Sequence, residues 1–87
     1  MKPRILVIDD DAVACEFLQE ALSSDGYEVI TSTSALESLQ QDLAGYDLLM
    51  SDIRMPGMDG LQFLSKVQEK WPNLPVILMT AYGSLET

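Results

Sequence analysis

The sequence predicts an α/β fold in which helices cover both faces of a parallel sheet. Short aliphatic runs, such as residues 5–8 and 48–50, alternate with segments whose apolar residues recur at helical spacing. Such runs are typical of strands that are buried on both faces, and a βαβαβαβ alternation favours right-handed crossovers. The chain has 87 residues and is 47% hydrophobic, which is enough for one domain with a modest core.

The first strand, residues 5–8, is followed by a predicted helix. Asp11 stands just before this helix, where an N-cap or a first-turn acidic residue stabilises the exposed N–H groups. Gly26 supplies a C-terminal stop. The apolar positions of the helix recur at helical spacing and are Ala14, Phe17, Leu18, Ala21 and Leu22.

A second strand and a second helix are expected next. Residues 27–31 carry β-branched side chains and are predicted to form strand 2. Ser34 and Glu37 have the spacing of a capping box, which predicts the start of a helix. Gly45 is expected to close that helix, whose apolar residues are Leu36, Leu39 and Leu43.

The rest of the chain predicts two more strands with a helix between them. Strand 3 spans residues 47–51 and strand 4 spans residues 76–79. Asp59 can cap helix 3, which ends at Trp71 because a residue before proline avoids the helical region. Ser84 is expected to open a further helix. The predicted buried face of helix 3 includes Leu61, Leu64 and Val67.

Aspartates follow two of the predicted strands. Asp9 and Asp10 come directly after the first aliphatic run, and Asp52 follows the third. Because ligands of open α/β sheets bind beyond the carboxyl ends of the strands, these three carboxylates should meet in one cleft. Two unit charges about 4 Å apart repel by roughly 4 kcal/mol at an effective dielectric constant near 20. A cation is therefore expected among them.

The residue types in this cleft indicate a hard divalent cation. Carboxylates and a carbonyl are oxygen ligands of the kind that Mg²⁺ prefers, and the chain offers no histidine and a single cysteine to a softer metal. The sequence therefore predicts a Mg²⁺ site.

Composition excludes several classes of partner. The 14 acidic and 5 basic residues give a net charge of -9, which disfavours direct binding to nucleic acid or to an anionic membrane. No apolar stretch is long enough to span a membrane. Cys15, the single cysteine, is expected to be an ordinary helix residue, and the chain is expected to be cytoplasmic.

Three motifs together resemble the receiver domain of two-component response regulators. They are the Asp9-Asp10 pair, residues 51–60 (SDIRMPGMDG) and residues 79–81 (MTA). Residues 51–60 and 81–84 are most similar to receivers of the nitrogen-regulator type. The resemblance implies a flavodoxin-like, doubly wound parallel sheet with strand order 2-1-3-4, followed in complete receivers by a fifth strand and a last helix.

The resemblance also implies a function and a set of site residues. Asp52 would accept a phosphoryl group from a sensor histidine kinase, which makes the domain a signalling module rather than a turnover enzyme. Asp9, Asp10 and Asp52, with the backbone carbonyl of Arg54, would bind Mg²⁺. Thr80 would hydrogen-bond a phosphoryl oxygen and act as the switch.

The chain departs from the receiver pattern after strand 4. Receivers have a fifth strand with a lysine at its end and a switching aromatic residue, and none of these lies in the 87 residues. Lys66 and Lys70 belong to helix 3, outside the strand-end cleft. Residues 1–87 are therefore expected to be the N-terminal part of a receiver domain, with strand 4 as an open edge that favours a homodimer.

Two alternatives remain open from the residues. A phosphohydrolase of the haloacid dehalogenase type would use Asp9 as nucleophile and Asp11 as acid/base, because residues 5–13 fit four apolar residues followed by Asp-x-Asp-x-Val. That fold needs a later lysine and an acidic pair, and it leaves Asp52 unexplained. The other alternative is an interaction module that keeps the fold but is not phosphorylated.

Overall fold

Four parallel strands form one sheet in the order β2-β1-β3-β4, which confirms the predicted strand order. The computed structural model describes residues 2–54 and 57–79. The elements are β1 (Arg4–Ile8), α1 (Ala12–Ser24), β2 (Glu28–Ser32), α2 (Ala35–Leu39), a 3-10 turn (Leu43–Gly45), β3 (Leu48–Asp52), α3 (Gly60–Lys70) and β4 (Val76–Met79).

The two central strands run in step to their carboxyl ends. Ile8, the last residue of β1, is the register partner of Ser32 on one side and of Ser51 on the other. On the far side of β3, Asp52 is the register partner of Met79. The residues that follow β1 and β3 therefore leave the sheet side by side.

The core has two layers, because successive side chains of a strand point to opposite faces of the sheet. On one face, α1 places Cys15 against Ile5, Val7 and Val29. On the other face, residues of α2 and α3 pack against the remaining strand side chains. The largest fully buried residues of this second layer are Phe63, Leu6, Ile8, Leu43, Leu49 and Val67.

Three of the predicted helix starts are confirmed by capping. The side chain of Asp11 accepts a hydrogen bond from the N–H of Val13, and that of Ser34 accepts one from Glu37. Asp59 forms a full capping box with Gln62. These contacts span two or three residues, so local sequence is enough to specify them.

The second predicted helix, from Ser34 to Gly45, is wrong in part. It ends at Leu39, and a separate 3-10 turn follows. Asp42 has an extended backbone and accepts a hydrogen bond from the N–H of Ala44, so a helix cannot continue through it. A new cap thus interrupts the helix. Strands 2 and 3 each begin and end one residue later than predicted.

Several of the apolar residues that define the predicted helices are exposed. Phe17 is 68% exposed and Leu61 is 60% exposed. Each lies two positions, or about 200° around the helix, from the residue that is buried in its place, Cys15 in α1 and Phe63 in α3. Leu36 is likewise 51% exposed. Val67 is fully buried, as predicted.

None of the helices within residues 2–54 and 57–79 has the length and the apolar character that a membrane crossing requires. The predicted helix that opens at Ser84 lies outside the described residues.

Candidate metal centre

An acidic cluster lies at the carboxyl ends of the two central strands. Asp9 follows β1 directly, and Asp52 is the last residue of β3. One carboxylate oxygen from each of Asp9, Asp10 and Asp52 lies within 4.8 Å of the others. The structure therefore confirms that these three predicted residues meet.

The cluster runs from the protein interior to solvent. Asp52 is buried, with 9% of its surface exposed, whereas Asp9 is half-buried and Asp10 is exposed. Burial therefore increases within the cluster from Asp10 through Asp9 to Asp52.

Electrostatics opposes ionisation of the Asp9 carboxyl group. Burial raises the pKa of Asp9 above its usual value of 3.8, and the hydrogen bond from the N–H of Asp11 partly offsets this rise. The negative charges of Asp52 and Asp10, and then that of Asp11, raise the pKa further. Such mutual repulsion is relieved by a bound cation.

The donor set fits a hard divalent cation. All three converging groups are carboxylates, and oxygen is the ligand atom that Mg²⁺ and Ca²⁺ take. Asp10 is exposed, so solvent can supply the water ligands that Mg²⁺ usually retains. The residues thus match the ion that the sequence predicts.

Asp11 is oriented away from an acid/base role. Its carboxylate caps α1, with Oδ1 accepting a hydrogen bond from the N–H of Val13 at 3.0 Å. Its backbone N–H donates to Oδ1 of Asp9 at 2.9 Å. Asp11 therefore supports Asp9 through its main chain, and its side chain is engaged in the helix cap.

The other two predicted site residues are less fully described. Arg54 is exposed and lies two residues beyond Asp52, in the segment between β3 and α3. Its carbonyl as a metal ligand stays a prediction. Thr80 lies outside the described residues and follows Met79 in the sequence.

Two supporting residues were not found by sequence reasoning. The thiol of Cys15 donates to the backbone carbonyl of Asp9 at 3.3 Å, and burial, followed by the charge of Asp9, raises its pKa. Gly60 packs against the backbone of Asp52 and Ile53. In the sequence, Cys15 is a cysteine in the first turn of α1 and Gly60 is a glycine directly after an N-cap. Neither feature predicts which residue it will contact, because the contacts depend on the tertiary fold.

Comparison with known proteins identifies a family. Residues 5–87 match the family described as response regulator receiver domain. The chain is 40% identical over 82 residues to the transcriptional regulatory protein GlrR of Escherichia coli K12, which covers 93% of this chain. It is 43% identical over 84 residues to the DNA-binding transcriptional regulator NtrC of the same organism, which covers 94%. This chain spans 18% of the length of either relative.

Solved structures show the same fold. The response regulator TrrA of Thermotoga maritima, in complex with Mg²⁺ and BeF, superposes with a TM-score of 0.87 at 42% identity, over 95% of this chain and 72% of that one. The chemotaxis protein CheY4 of Vibrio cholerae gives a TM-score of 0.87 at 28% identity, over 99% of this chain and 74% of that one. Both similarities support the flavodoxin-like fold class that the sequence predicts.

Proposed function

This chain belongs to the response regulator receiver domain family, and we propose that it accepts a phosphoryl group on Asp52 from a sensor histidine kinase. The observation that carries the proposal is the convergence of Asp52 with Asp9 and Asp10 at one edge of the sheet. In the transfer, a carboxylate oxygen of Asp52 forms a bond to phosphorus. The bond from phosphorus to the donor histidine nitrogen breaks, and that nitrogen keeps the electron pair.

Three differences among the carboxylates favour Asp52 as the acceptor. Asp52 is the most buried of them, so a phosphoryl group on it would be shielded from water. One oxygen of Asp9 already accepts the N–H of Asp11. Asp10 is exposed at the mouth of the cleft, which suits a ligand to a hydrated cation better than an acyl-phosphate site.

Asp9, Asp10 and Asp52, together with the backbone carbonyl of Arg54, would hold Mg²⁺. When bound, the ion would offset the charge of the carboxylates and of the incoming phosphoryl oxygens. Receiver domains bind Mg²⁺ through acidic residues, and the three converging carboxylates support the same role in this chain.

Thr80 would act as the switch by hydrogen-bonding a phosphoryl oxygen. Its support is its place in the sequence, directly after Met79, which is the register partner of Asp52 in the sheet. We also propose that residues 1–87 form the N-terminal part of a receiver domain, in agreement with their partial coverage of the solved receivers.

The proposed partner is a histidine kinase, and the domain would act as a signalling module without catalytic turnover. A net charge of -9 disfavours direct nucleic-acid binding by this segment. The hydrolase alternative is disfavoured, because the carboxylate of Asp11, which would have to act as its acid/base, caps α1.

A second copy of the chain is a further proposed partner. β4 is at one edge of the described sheet, its four residues carry no charge, and Ile77 is 48% exposed. An uncharged edge strand is a template for strand pairing. Antiparallel pairing of two β4 strands would keep the two acidic clusters at opposite ends, so charge repulsion between the copies would be small.

Acetyl phosphate with Mg²⁺ tests the phosphoacceptor. We expect intact-mass spectrometry to find one phosphoryl group on a wild-type protein that contains the complete receiver domain and none on its Asp52→Asn variant. Asp47→Asn, a matched change at the opposite end of β3, should be labelled like wild type. Label that persists on Asp52→Asn and disappears on Asp9→Asn would contradict the proposal and favour the hydrolase chemistry.

A further inference from the structure

Gly60 is the first residue of α3 and is buried. Its backbone does not require glycine, since Gly26 and Gly57 are the glycines with positive φ among the described residues. Glycine also disfavours a helix relative to alanine. If this position requires glycine, the requirement is therefore steric rather than conformational.

The space beside Gly60 is filled by the backbone of the proposed phosphoacceptor. A Cβ atom built on Gly60 would lie 2.6 Å from the carbonyl oxygen of Asp52 and 2.8 Å from the Cα atom of Ile53. Both separations are shorter than van der Waals contact. Because both neighbours are main-chain atoms, a side chain could be accommodated only if α3 or the end of β3 moved.

Gly45 provides a contrast. The atom nearest to a Cβ built there is Nη1 of Arg4, at 3.1 Å, at the far end of a flexible side chain. A side chain at position 45 can therefore be accommodated by a change in the rotamer of Arg4.

Hydrogen bonds hold the Asp52–Ile53 backbone from two sides. The N–H of Gly60 donates to the carbonyl of Ile53 at 2.7 Å, and the N–H of Ile53 donates to the carbonyl of Met79 at 3.0 Å. The hydroxyl of Ser51 donates to the carbonyl of Asp52 at 3.0 Å. The backbone that carries Asp52 is thus clamped between the start of α3 and the end of β4.

We propose that Gly60 is a positioning residue for the acidic site: the absence of a side chain at the start of α3 sets where the backbone of Asp52, and with it the carboxylate, is held. The inference rests on the proposed function of Asp52. A side chain at position 60 would displace one ligand of the proposed Mg²⁺ site and leave Asp9 and Asp10 in place.

Mg²⁺ affinity, measured by titration and followed through the backbone amide NMR signals of Asp9, Asp10 and Asp52, tests this role. We expect Gly60→Ala to weaken Mg²⁺ binding about tenfold or more, as changes in groups that orient metal ligands do. Gly45→Ala makes the same chemical change away from the site, and Val67→Ala removes a buried side chain from the same helix. Neither control should alter the affinity.

The controls separate positioning from general loss of stability. Unchanged Mg²⁺ affinity in Gly60→Ala would overturn the inference while leaving the proposed site intact, and so would an equal loss of affinity in Val67→Ala. A wild-type protein that binds no Mg²⁺ would overturn the proposed site and the positioning role with it. If Gly60→Ala unfolds in buffer, the same titrations of all four proteins in trimethylamine N-oxide, which favours the folded state, give the same decision.

Discussion

Oδ1 of Asp9 accepts a hydrogen bond from the backbone N–H of Asp11 at 2.9 Å. This contact orients a carboxylate that is half-buried and surrounded by other negative charges. The same turn caps α1 through the side chain of Asp11. One short loop thus joins the start of α1 to the acidic cluster.

Asp9→Asn should stabilise the protein when no divalent cation is present. Asparagine keeps an oxygen that can accept the Asp11 N–H, and it removes the charge that burial and the neighbouring carboxylates disfavour. We expect the melting temperature at neutral pH to rise by a few degrees. Asp47→Asn is the control, because it makes the same change in a carboxylate that also accepts a backbone N–H, that of Arg4. A lower melting temperature for Asp9→Asn in chelator would contradict this account.

Mg²⁺ at millimolar concentration should raise the melting temperature of the wild-type protein, since a ligand of the folded state stabilises by mass action. Asp10→Ala should remove this gain because it takes away one of the three converging carboxylates. Glu69→Ala removes an exposed acidic residue of α3 and should keep the gain. Thermal unfolding with and without Mg²⁺ measures both effects, and equal stabilisation of wild type and Asp10→Ala would rule out the site.

The two apolar faces of α3 should respond very differently to truncation. Phe63 is fully buried, so Phe63→Ala should lower the free energy of unfolding by about 3–5 kcal/mol, or abolish cooperative unfolding. Leu61 is 60% exposed, and Leu61→Ala should change the free energy of unfolding by less than about 0.5 kcal/mol. Urea denaturation measures both. If Leu61→Ala lowered the free energy of unfolding more than Phe63→Ala does, the helix would have to be rotated relative to this structure.

Self-association through β4 should depend on its exposed apolar residue. We expect the wild-type chain to form dimers at micromolar concentration and Ile77→Lys to be monomeric, because a charge on an edge strand opposes pairing. Leu61→Lys adds the same charge to an exposed position on α3. Sedimentation measures all three proteins. A wild-type chain that is a uniform monomer would refute the proposed edge pairing.

The sequence alone determined the elements whose signals are local. Strand 4 was predicted with the bounds Val76–Met79 that the structure has, because an aliphatic run following a proline admits few alternatives. The caps at Asp11, Ser34 and Asp59 were identified because their hydrogen bonds reach two or three residues. The approach of Asp9, Asp10 and Asp52 followed from a general property of parallel sheets, which bring the carboxyl ends of neighbouring strands together.

Only the tertiary structure decided which side of each helix is buried. Apolar residues occur on more than one side of α1 and α3, so helical spacing alone could not choose Cys15 over Phe17 or Phe63 over Leu61. The choice depends on how each helix crosses the sheet, which is set by contacts distant in sequence. The same holds for Gly60, since the atoms that exclude a side chain there belong to β3 and the residue that follows it. Local chemistry placed the carboxylates, and long-range packing determined how they are held.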